Sequence, residues 1–489
     1  MPDIGDDDDV ERVCRGCVGE DHLRALIDRD GVVAECTFCG ADEEATITVE
    51  EMADHVEGAF DRHFERTSPD PDMFEEMMIR DREINYEWYR HGEPVLYAIA
   101  DAASINEKVA QAVLDILEER HGDYEAAQMG DECEFGEDSH YESKGVDDRE
   151  IAAEWHELER SLKVEARYFN PAAEALMGRL FDGLDGQLTR DGTPVIVTAG
   201  PERDIKSFFR ARVFHHHDEM DDALLRPDIH LGPPPAAKAR AGRMNAHGIA
   251  AFYGASDPEV ALAEVRPPVG SRAVVGEFEL LRDVRLLDVT ALQSLYVEGS
   301  LFDPDYQRRM ELAKFMARLS NRMTMPVMPD DEPTEYLITQ MIAGYLARRP
   351  APGLDGILFR SVQQPGEQRN VVLFQHASRV EALEIPEGTE LSVQQISTSE
   401  DGPEPDYTVF EEVPPKPEPV AEEPDGLGLG EFMRMRPHEL RFDPNADGRE
   451  PYLRVRQDGL RVRHVKGVTF DTDEFEVSRH RSEKRDYKF

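Results

Sequence analysis

The chain has 489 residues, with 55 lysines and arginines against 102 aspartates and glutamates, and its net charge is -47 at pH 7. This length allows two or three domains with sizeable cores, and a hydrophobic content of 40% argues against a largely disordered chain. The excess of acid argues against general binding to nucleic acids or to anionic membranes.

Lysine contributes 10 of the 55 basic residues, and an acidic surface that is poor in lysine is typical of a halophilic cytoplasm. Residues 1–10 are mostly acidic, and so we expect no signal peptide. No apolar run reaches the length of a membrane-spanning helix. We therefore expect a cytoplasmic protein that does not bind membranes.

The cysteines predict a metal site near the N-terminus. Four of the five cysteines form two CxxC pairs, Cys14 with Cys17 and Cys36 with Cys39, and 18 residues separate the pairs. Each pair can present two thiolates to one ion, and so residues 1–45 are predicted to form a zinc ribbon with a structural, tetrahedral site. A redox role for either pair is the weaker interpretation, and Cys133 is given no role. Because the segment is too small for a good core, zinc would contribute much of its folding free energy.

Helical patterns fill residues 46–185. Thr48-Val49-Glu50-Glu51 is a capping box, and apolar residues then recur at every fourth position. The pattern predicts a helix with one buried face, formed by Met52, Val56, Phe60 and Phe64. Further helices are predicted at residues 73–89, 95–99, 105–117, 151–169 and 171–181, with an acidic loop at residues 121–148.

Strands and helices are mixed in residues 186–400. Strands are predicted at residues 195–198, 207–214, 249–253, 356–359 and 371–374, and residues 273–280 and 284–289 are expected to pair with each other. A helix is predicted to start at Ser256-Asp257-Pro258, to carry Glu264 and to end before Pro267, and further helices are predicted at residues 311–319 and 336–346. His215-His216-His217 predicts a surface loop, because adjacent side chains on a strand point to opposite faces and only two of the three could share a metal ion. The acidic spacer up to Leu231 is expected to be mobile.

The composition changes twice near the C-terminus. Residues 401–430 hold seven prolines and nine acids, which predicts an extended linker. Residues 431–489 hold 14 basic against 12 acidic residues, alternate between apolar and basic side chains, and contain the hairpin signal Asp458-Gly459. We expect a β-rich extension that packs as an edge ribbon on the preceding domain, and a nucleic-acid-binding ribbon is the alternative.

Residues 231–268 combine groups that suit a nucleotide: a basic, glycine-containing turn, a strand that ends in an aromatic residue, and a helix that carries a carboxylate. The segment resembles the RES domain, a family named for its Arg, Glu and Ser residues. The resemblance covers roughly residues 195–383. Its matching pieces are Gly242-Arg243-Met244-Asn245, Gly248, Phe252-Tyr253-Gly254-Ala255, Ala263-Glu264-Val265, the run from Asp355 to Ser361 and the run from Asn370 to Phe374.

The resemblance implies an ADP-ribosyltransferase-like α+β fold and the breakdown of NAD by hydrolysis or phosphorolysis. Glu264 would stabilise the positive charge that develops on the ribose as the bond to nicotinamide breaks. A surface glutamate in an acid-rich chain is the alternative reading of Glu264. The family's arginine ends a strand after aromatic residues, which here is Phe208-Phe209-Arg210-Ala211-Arg212. Arg210 is the first choice for this arginine, which would bind the pyrophosphate, and Arg212 and Arg243 are further candidates.

Further site residues follow from the same resemblance. Tyr253 would stack on the nicotinamide or orient the ribose, although a core tyrosine explains this position nearly as well. Ser361 would hydrogen-bond the ribose or the nicotinamide amide, and no histidine and acid pair is evident that would make it a nucleophile. Glycines would permit close approach of the backbone, and ordinary turns explain them nearly as well. The positions expected to bind the nucleotide are Arg212, Gly242, Arg243, Asn245, Gly248 and Asn370.

The N-terminal region resembles the HEPN-type domain that is often joined to RES domains. The resemblance depends on the paired cysteines and on the predicted helix from Trp155 to Phe169. HEPN nucleases use an arginine that is followed a few residues later by a histidine. Arg90 and His91 are too close for that motif, and Arg82 and His91 are too far apart, so we expect no ribonuclease activity.

The sequence therefore predicts a multidomain α+β protein. The expected parts are a zinc ribbon (1–45), a helical HEPN-like domain (46–185), a RES domain (186–400), a linker (401–430) and a β-rich C-terminal extension (431–489). The expected function is an NAD-degrading, toxin-like effector that its N-terminal module regulates. A nucleotide-binding sensor or adaptor without turnover and an ADP-ribosyltransferase acting on a macromolecule are the alternatives.

The expected ligands are structural zinc, NAD as the substrate and, for phosphorolysis, inorganic phosphate. A regulatory protein or antitoxin is a further expected partner, although the long fused N-terminal region puts a separate antitoxin in doubt. A homo-oligomer is compatible with the sequence.

Overall fold

A computed structural model describes residues 10–81, 86–122, 132–165, 170–328, 330–349, 352–361, 363, 366, 368–399, 402–415, 447–469 and 472–481. The chain divides into two compact units. Unit 1 comprises residues 1–195 and 291–323, and unit 2 comprises residues 196–290 and 324–489. The end of the helix predicted at 151–169 and residues 416–430 of the predicted linker lie outside the described residues. The domain boundaries predicted from the sequence stay a prediction.

Unit 1 begins with a small sheet around the paired cysteines. Its strands are β1 (Arg12–Cys14), β2 (Val32–Val33) and β3 (Ala45–Thr48), in the order β1-β3-β2. Helix α1 (Asp21–Asp30) connects β1 to β2 and buries Leu23 and Ile27. The Glu20 side chain accepts a hydrogen bond from the Leu23 N–H and so caps the start of α1.

The capping box predicted at Thr48 is confirmed. The Thr48 hydroxyl accepts the Glu51 N–H, and the Glu51 carboxylate accepts the Thr48 N–H. Helix α2 (Val49–His63) buries Met52, Val56 and Phe60, whereas Phe64 begins a strand. The remaining elements before residue 195 are α3 (Met73–Arg80), α4 (Val95–Ala103), α5 (Glu107–His121), α6 (Arg149–Val164), α7 (Pro171–Phe181) and the sheet β4-β6-β5, formed by β4 (Phe64–Arg66), β5 (Glu93–Pro94) and β6 (His140–Ser143).

Helix α3 ends at Arg80, nine residues before the predicted end at residue 89. The chain after it is held by tertiary contacts instead. The Arg90 guanidinium donates to both carboxylate oxygens of Glu132, each at 2.7 Å, and to the backbone carbonyls of Thr67 and Asp138, each at 2.8 Å. These contacts outweigh the local preference for a helix at residues 86–89.

The segment of residues 291–323 completes the core of unit 1. Phe302 is buried in the same hydrophobic cluster as the residues of α2, α4 and α5. Helix α11 (Pro304–Thr324) is much longer than the predicted helix at 311–319, and the Phe315 ring lies 5.6 Å from the Trp155 ring of α6. The Arg322 guanidinium pairs with the buried Glu159 at 2.7 Å.

Unit 2 is built on a nine-stranded sheet. Its first strands in chain order are β7 (Ile196–Ala199), β8 (Ser207–Phe214), β9 (Phe252–Ala255), β10 (Arg272–Leu280), β11 (Val284–Asp288), β12 (Gly356–Arg360) and β13 (Arg369–Leu373). After the hairpin of β14 (Glu390–Ser399) and β15 (Gly402–Glu412), the strands β16 (Leu453–Val455) and β17 (Arg461–His464) return to this sheet. The strand order in the sheet is β16-β10-β8-β9-β13-β12-β11-β7, and β17 also pairs with β10. Among the described strands of this sheet, only β11 and β12 pair in parallel, and the other pairs are antiparallel.

Three expectations about strands in unit 2 are corrected. β10 and β11 do not pair with each other, because β10 is flanked by β8 and the C-terminal strands, and β11 by β7 and β12. Residues 402–412, assigned to a linker, form β15 because they pair with β14. Asp458-Gly459 does not join a hairpin, because β16 and β17 both pair antiparallel with the same strand, β10. The expected packing of the C-terminal extension along a sheet edge is confirmed for these two strands.

The acidic spacer after β8, expected to be a mobile loop, forms helices α8 (His217–Leu225) and α9 (Pro227–His230). Met220, Ala223 and Leu224 lie on one face of α8 and are buried in the main core of unit 2. That burial stabilises the helix in spite of its acidic sequence. Helix α10 (Pro258–Glu264) packs Val260 and Ala261 in a second hydrophobic cluster, on the opposite side of the sheet from α8. The last helix of the unit is α12 (Glu332–Leu346).

No helix among the described residues is both long enough and apolar enough to cross a membrane.

Phe302→Ala is expected to destabilise unit 1 by about 3–5 kcal/mol, because it removes a buried aromatic side chain and leaves a cavity. Denaturant unfolding would measure the loss, and hydrogen exchange would locate it in α2, α4 and α5. Tyr296→Ala, in the same segment but half-exposed, is the control and is expected to change stability little. Faster exchange confined to unit 2 would contradict the assignment of residues 291–323 to the core of unit 1.

Candidate functional site

The four paired cysteines come together in unit 1. Their sulfur atoms all lie within 4.8 Å of one another. The Sγ atoms of Cys14 and Cys39 are 3.5 Å apart, and the Cys14–Cys17 and Cys17–Cys36 distances are both 3.8 Å. A tetrahedral zinc ion with Zn–S bonds of about 2.3 Å places its sulfur ligands about 3.8 Å apart. The donor set and its spacing therefore fit zinc.

The cluster also contains backbone donors for its thiolates. The Cys14 N–H points to the Cys36 sulfur at 3.4 Å. Burial acts to raise the pKa of Cys36, but the N–H groups of Cys39, Phe38 and Cys14 outweigh it and lower this pKa to about 7. Burial raises the pKa of Cys14 to about 11. A divalent cation would stabilise all four thiolates and join the two CxxC turns, and its role would then be structural.

A second candidate site is a cavity of about 740 Å³ in unit 2. The cavity lies where β8 and β9 separate. A single residue pair, Phe209–Ala255, joins these two strands, and the wall residues Arg210, Arg212 and Tyr253 lie on the side of that pair where the strands are no longer paired. The residues that line the cavity are Arg210, Arg212, Ile229, His230, Gly232, Pro234, Pro235, Lys238, Ala239, Arg240, Ala241, Gly242, Asn245, Ala250, Ala251 and Tyr253.

The wall of this cavity is positively charged. Arg210 and Arg212 extend from β8, and Lys238 and Arg240 come from the loop before β9. No aspartate or glutamate belongs to the described lining, although the whole chain has 102 acidic residues. Four cations without a carboxylate between them favour an anionic ligand such as a phosphate or pyrophosphate.

Arg210 is the most shielded of the four cations. Its guanidinium carbon lies 5.3 Å from the centroid of the Phe252 ring, and its Nη1 is buried without a hydrogen-bond partner among the described residues. Burial, together with the positive charge of Arg212, lowers the pKa of Arg210 to about 10. The guanidinium is still charged at neutral pH. An unpaired buried donor costs about 1–3 kcal/mol, and an anion in the cavity would remove that cost.

Arg212 is positioned by a hydrogen bond from its Nη1 to the His230 carbonyl at 2.9 Å. Its side chain is exposed, and its guanidinium carbon lies 5.3 Å from the Phe214 ring centroid. Arg210 and Arg212 are two residues apart on one strand and therefore share a face. Both arginines considered for the family position thus line the cavity, and the choice between them stays open.

The loop between residues 238 and 250 closes around Asn245. The Tyr253 hydroxyl donates to the Asn245 Oδ1 at 2.6 Å and accepts the Met244 N–H at 3.0 Å. The Asn245 amide donates to the carbonyls of Arg240 at 2.9 Å and Ile249 at 2.8 Å. Burial raises the pKa of Tyr253 to about 12, so its hydroxyl stays protonated and able to donate. The Tyr253 hydroxyl therefore fixes the loop while its side chain forms part of the cavity wall.

Gly242 is required by close approach. A Cβ at this position would lie 2.6 Å from the Asn245 Oδ1 and 2.7 Å from the Tyr253 hydroxyl. Gly248 has a different role: its φ of +85° and the open space around it are those of a turn glycine. Gly248 does not belong to the cavity lining.

Helix α12 supports the same loop. The Gln340 side chain donates to the Gly242 carbonyl at 2.8 Å, and the Thr339 hydroxyl donates to the Arg243 carbonyl. The Arg243 guanidinium carbon lies 5.7 Å from the Tyr336 ring centroid, and Arg243 does not belong to the cavity lining. A pyrophosphate-binding role for Arg243 therefore receives less support than one for Arg210 or Arg212.

The carboxylate of Glu264 lies at the end of α10 and is held by two buried side chains. Its Oε1 accepts the Ser361 hydroxyl at 2.8 Å and the Asn370 amide at 2.7 Å. Ser361 and Asn370 are 4% and 5% exposed, whereas Glu264 is exposed. The two donors therefore orient one oxygen and leave the rest of the carboxylate accessible to a ligand.

Strand register relates this carboxylate cluster to the cavity. Asn370 pairs with Ala255, which lies two residues after Tyr253 on β9. The side chains of Tyr253, Ala255 and Asn370 share one face, and two residues of a strand span about 7 Å. The cluster is therefore a neighbour of Tyr253, although Glu264, Ser361 and Asn370 do not line the cavity itself.

Residues 229–235 form one wall of the cavity, a role that was not predicted from the sequence. The signal that could have indicated this wall is the rigid Gly232-Pro233-Pro234-Pro235 run that directly precedes the basic turn.

The cysteine cluster is expected to bind one zinc ion per chain, measured as metal content after purification without a chelator. Cys36→Ser removes one of four ligands and is expected to lose that zinc and to speed hydrogen exchange in β1 and β3. Cys133→Ser is the matched control and should keep the zinc, because Cys133 is not part of the cluster. Retention of zinc by Cys36→Ser would contradict the four-cysteine site.

Gly242→Ala is expected to destabilise unit 2 by about 1–3 kcal/mol, because its Cβ would force Asn245 and Tyr253 apart. Gly344→Ala is the control: the space around Gly344 in α12 is open, and alanine favours a helix by up to about 1 kcal/mol. Denaturant unfolding compares the two variants. Equal stabilities would show that Gly242 is an ordinary turn residue.

Comparison with known proteins bears on unit 2. The RES domain family matches residues 209–394. No curated protein and no solved structure matches the chain. The matched range includes both the cationic cavity and the carboxylate cluster of Glu264, Ser361 and Asn370. Residues 209–394 of this chain are thus found to be a RES domain.

Proposed function

We propose that the RES domain cleaves the bond between nicotinamide and ribose in NAD, with water or inorganic phosphate as the acceptor. The observation that carries the proposal is an acid-free cationic cavity next to a carboxylate that two buried side chains orient. The match to the RES domain, whose members act on NAD, supports the same conclusion.

The cavity would hold the pyrophosphate of NAD. Arg210 has a buried donor without a partner among the described residues, and Arg212 lies on the same face of β8. A guanidinium can donate two parallel hydrogen bonds to a phosphate, so this pair suits two linked phosphates. Gly242, Asn245 and Tyr253 would form the adjoining wall, and the Tyr253 ring would contact the nicotinamide or its ribose.

Glu264 would act at the ribose. Cleavage of the nicotinamide bond develops positive charge on the sugar, and a fixed carboxylate stabilises that charge. Ser361 and Asn370 keep the Glu264 carboxylate in one orientation before the substrate arrives, so little reorganisation is needed in the transition state. Water or phosphate would then attack the anomeric carbon as nicotinamide leaves.

We also propose that this activity belongs to a cytoplasmic, toxin-like effector from a high-salt organism, regulated by its N-terminal region. The large excess of acid supports the high-salt environment, and the four-cysteine cluster supports a zinc ribbon. An ADP-ribosyltransferase-like fold for the RES domain and a HEPN-like helical domain are parts of the same proposal. A regulatory protein or antitoxin and a homo-oligomer are compatible with it.

The test is release of nicotinamide from NAD by the purified full chain in molar KCl, with and without phosphate. Glu264→Gln is expected to lower the rate roughly 100-fold or more, because it removes the charge that stabilises the transition state. Glu259→Gln, on the same helix and paired with Arg463 at the surface, is the control and should keep the wild-type rate.

The outcomes separate the candidate activities. Release that requires phosphate indicates a phosphorylase, and release without phosphate indicates a hydrolase. NAD binding without release would overturn the enzyme proposal and favour a sensor or adaptor. Transfer of radiolabel from NAD to protein or nucleic acid would favour an ADP-ribosyltransferase.

A further inference from the structure

We propose that the cavity selects a dinucleotide with a third phosphate on the 2′-oxygen of its adenosine ribose, the NADP class, over NAD. The inference rests on the proposed function, because it names the substrate class of the same site. It is supported by two cations that the pyrophosphate does not require, Lys238 and Arg240, and by the absence of a carboxylate from the described lining of the cavity.

The number of cations exceeds what NAD would use. The pyrophosphate of NAD carries two negative charges, and Arg210 and Arg212 on β8 supply two positive charges. Lys238 and Arg240 add two more from a different wall of the same cavity. A 2′-phosphate adds between one and two negative charges near neutral pH and would bring the ligand close to the charge of the site.

Lys238 and Arg240 are available to such a ligand. Both side chains are exposed, and neither forms a hydrogen bond or an ion pair with another part of the described chain. Their backbone is fixed, because the Asn245 amide donates to the Arg240 carbonyl at 2.9 Å and the Gly248 N–H donates to the Ala239 carbonyl at 2.9 Å. Two exposed cationic side chains on a fixed loop are thus available to bind an anionic group in the cavity.

The cavity also lacks the group that typically recognises an unphosphorylated ribose. In Rossmann-type dinucleotide sites, an aspartate or glutamate accepts hydrogen bonds from the 2′-hydroxyl of NAD, whereas an arginine accommodates the 2′-phosphate of NADP. No carboxylate belongs to the described lining of this cavity, and Arg240 and Lys238 lie together on one loop. A 2′-phosphate would find donors at that loop, but a ribose diol would find no carboxylate acceptor.

The experiment compares two adenosine fragments in equilibrium binding to the full chain at constant ionic strength, which is held fixed because salt screens these contacts. Adenosine 2′,5′-bisphosphate is expected to bind at least about tenfold more tightly than AMP, and nicotinamide release from NADP is expected to be favoured over release from NAD by a similar factor. Lys238→Gln and Arg240→Gln should each reduce this preference. Lys206→Gln, which removes an exposed charge outside the cavity, should leave it intact.

Equal binding of the two fragments, or a preference that survives in both Lys238→Gln and Arg240→Gln, would overturn the inference. A second result would also overturn it. If the bisphosphate is not preferred, but free inorganic phosphate and AMP bind cooperatively and Lys238→Gln abolishes that cooperativity, then Lys238 and Arg240 bind a separate phosphate. If NAD and NADP are cleaved equally, the proposed function stands and the inference fails. If the bisphosphate is preferred but neither dinucleotide is cleaved, the inference stands as a binding property and the proposed function fails.

Discussion

One residue pair, Phe209–Ala255, joins β8 to β9, and the candidate site of unit 2 depends on this limited pairing. Elsewhere the two strands are well paired: eight residue pairs join β8 to β10, and four join β9 to β13. β8 is therefore held firmly by β10, and β9 by β13, whereas β8 and β9 are free to diverge from each other. The resulting gap admits the arginines of β8, Tyr253 of β9 and the loop between them. A fully paired sheet would have closed the space that the cavity occupies.

Opposite charges are kept apart around this gap. The chain is strongly acidic, yet the charged residues in the described wall of the cavity are all cations. The one carboxylate proposed to act on substrate lies at the end of α10 and is held by Asn370 of β13. Ser361 and Asn370 are uncharged donors, so their hydrogen bonds orient the Glu264 carboxylate without neutralising its charge.

The chain passes from unit 1 to unit 2 and back, since residues 291–323 fall within the RES match but belong to unit 1. Phe302 and α11 contribute to the core of unit 1, and deletion of the N-terminal region would expose their apolar side chains. A truncated RES domain is therefore a poor test of regulation by the N-terminal region, because misfolding and release from inhibition would be confounded. Point substitutions in the full chain, such as those in the cysteine cluster, avoid that difficulty.

Local patterns in the sequence were sufficient for features that depend on neighbouring residues. The spacing of Cys14, Cys17, Cys36 and Cys39 predicted their convergence, the Thr48–Glu51 capping box predicted the start of α2, and the pieces around Gly242 and Glu264 predicted the RES domain.

Other features depend on contacts between distant residues. The burial of α8, the pairing of β15 with β14, the return of β16 and β17 to β10, and the place of α11 in unit 1 could not be read from local periodicity. The cavity belongs to this second group. Its walls come from residues 210–212, 229–235 and 238–253, and only the tertiary fold brings a strand, a proline-rich turn and a loop to one space. The sequence by itself determined which cationic, aromatic and carboxylate side chains are present. The separation of β8 from β9 in the tertiary structure decided which of these side chains lie around one cavity.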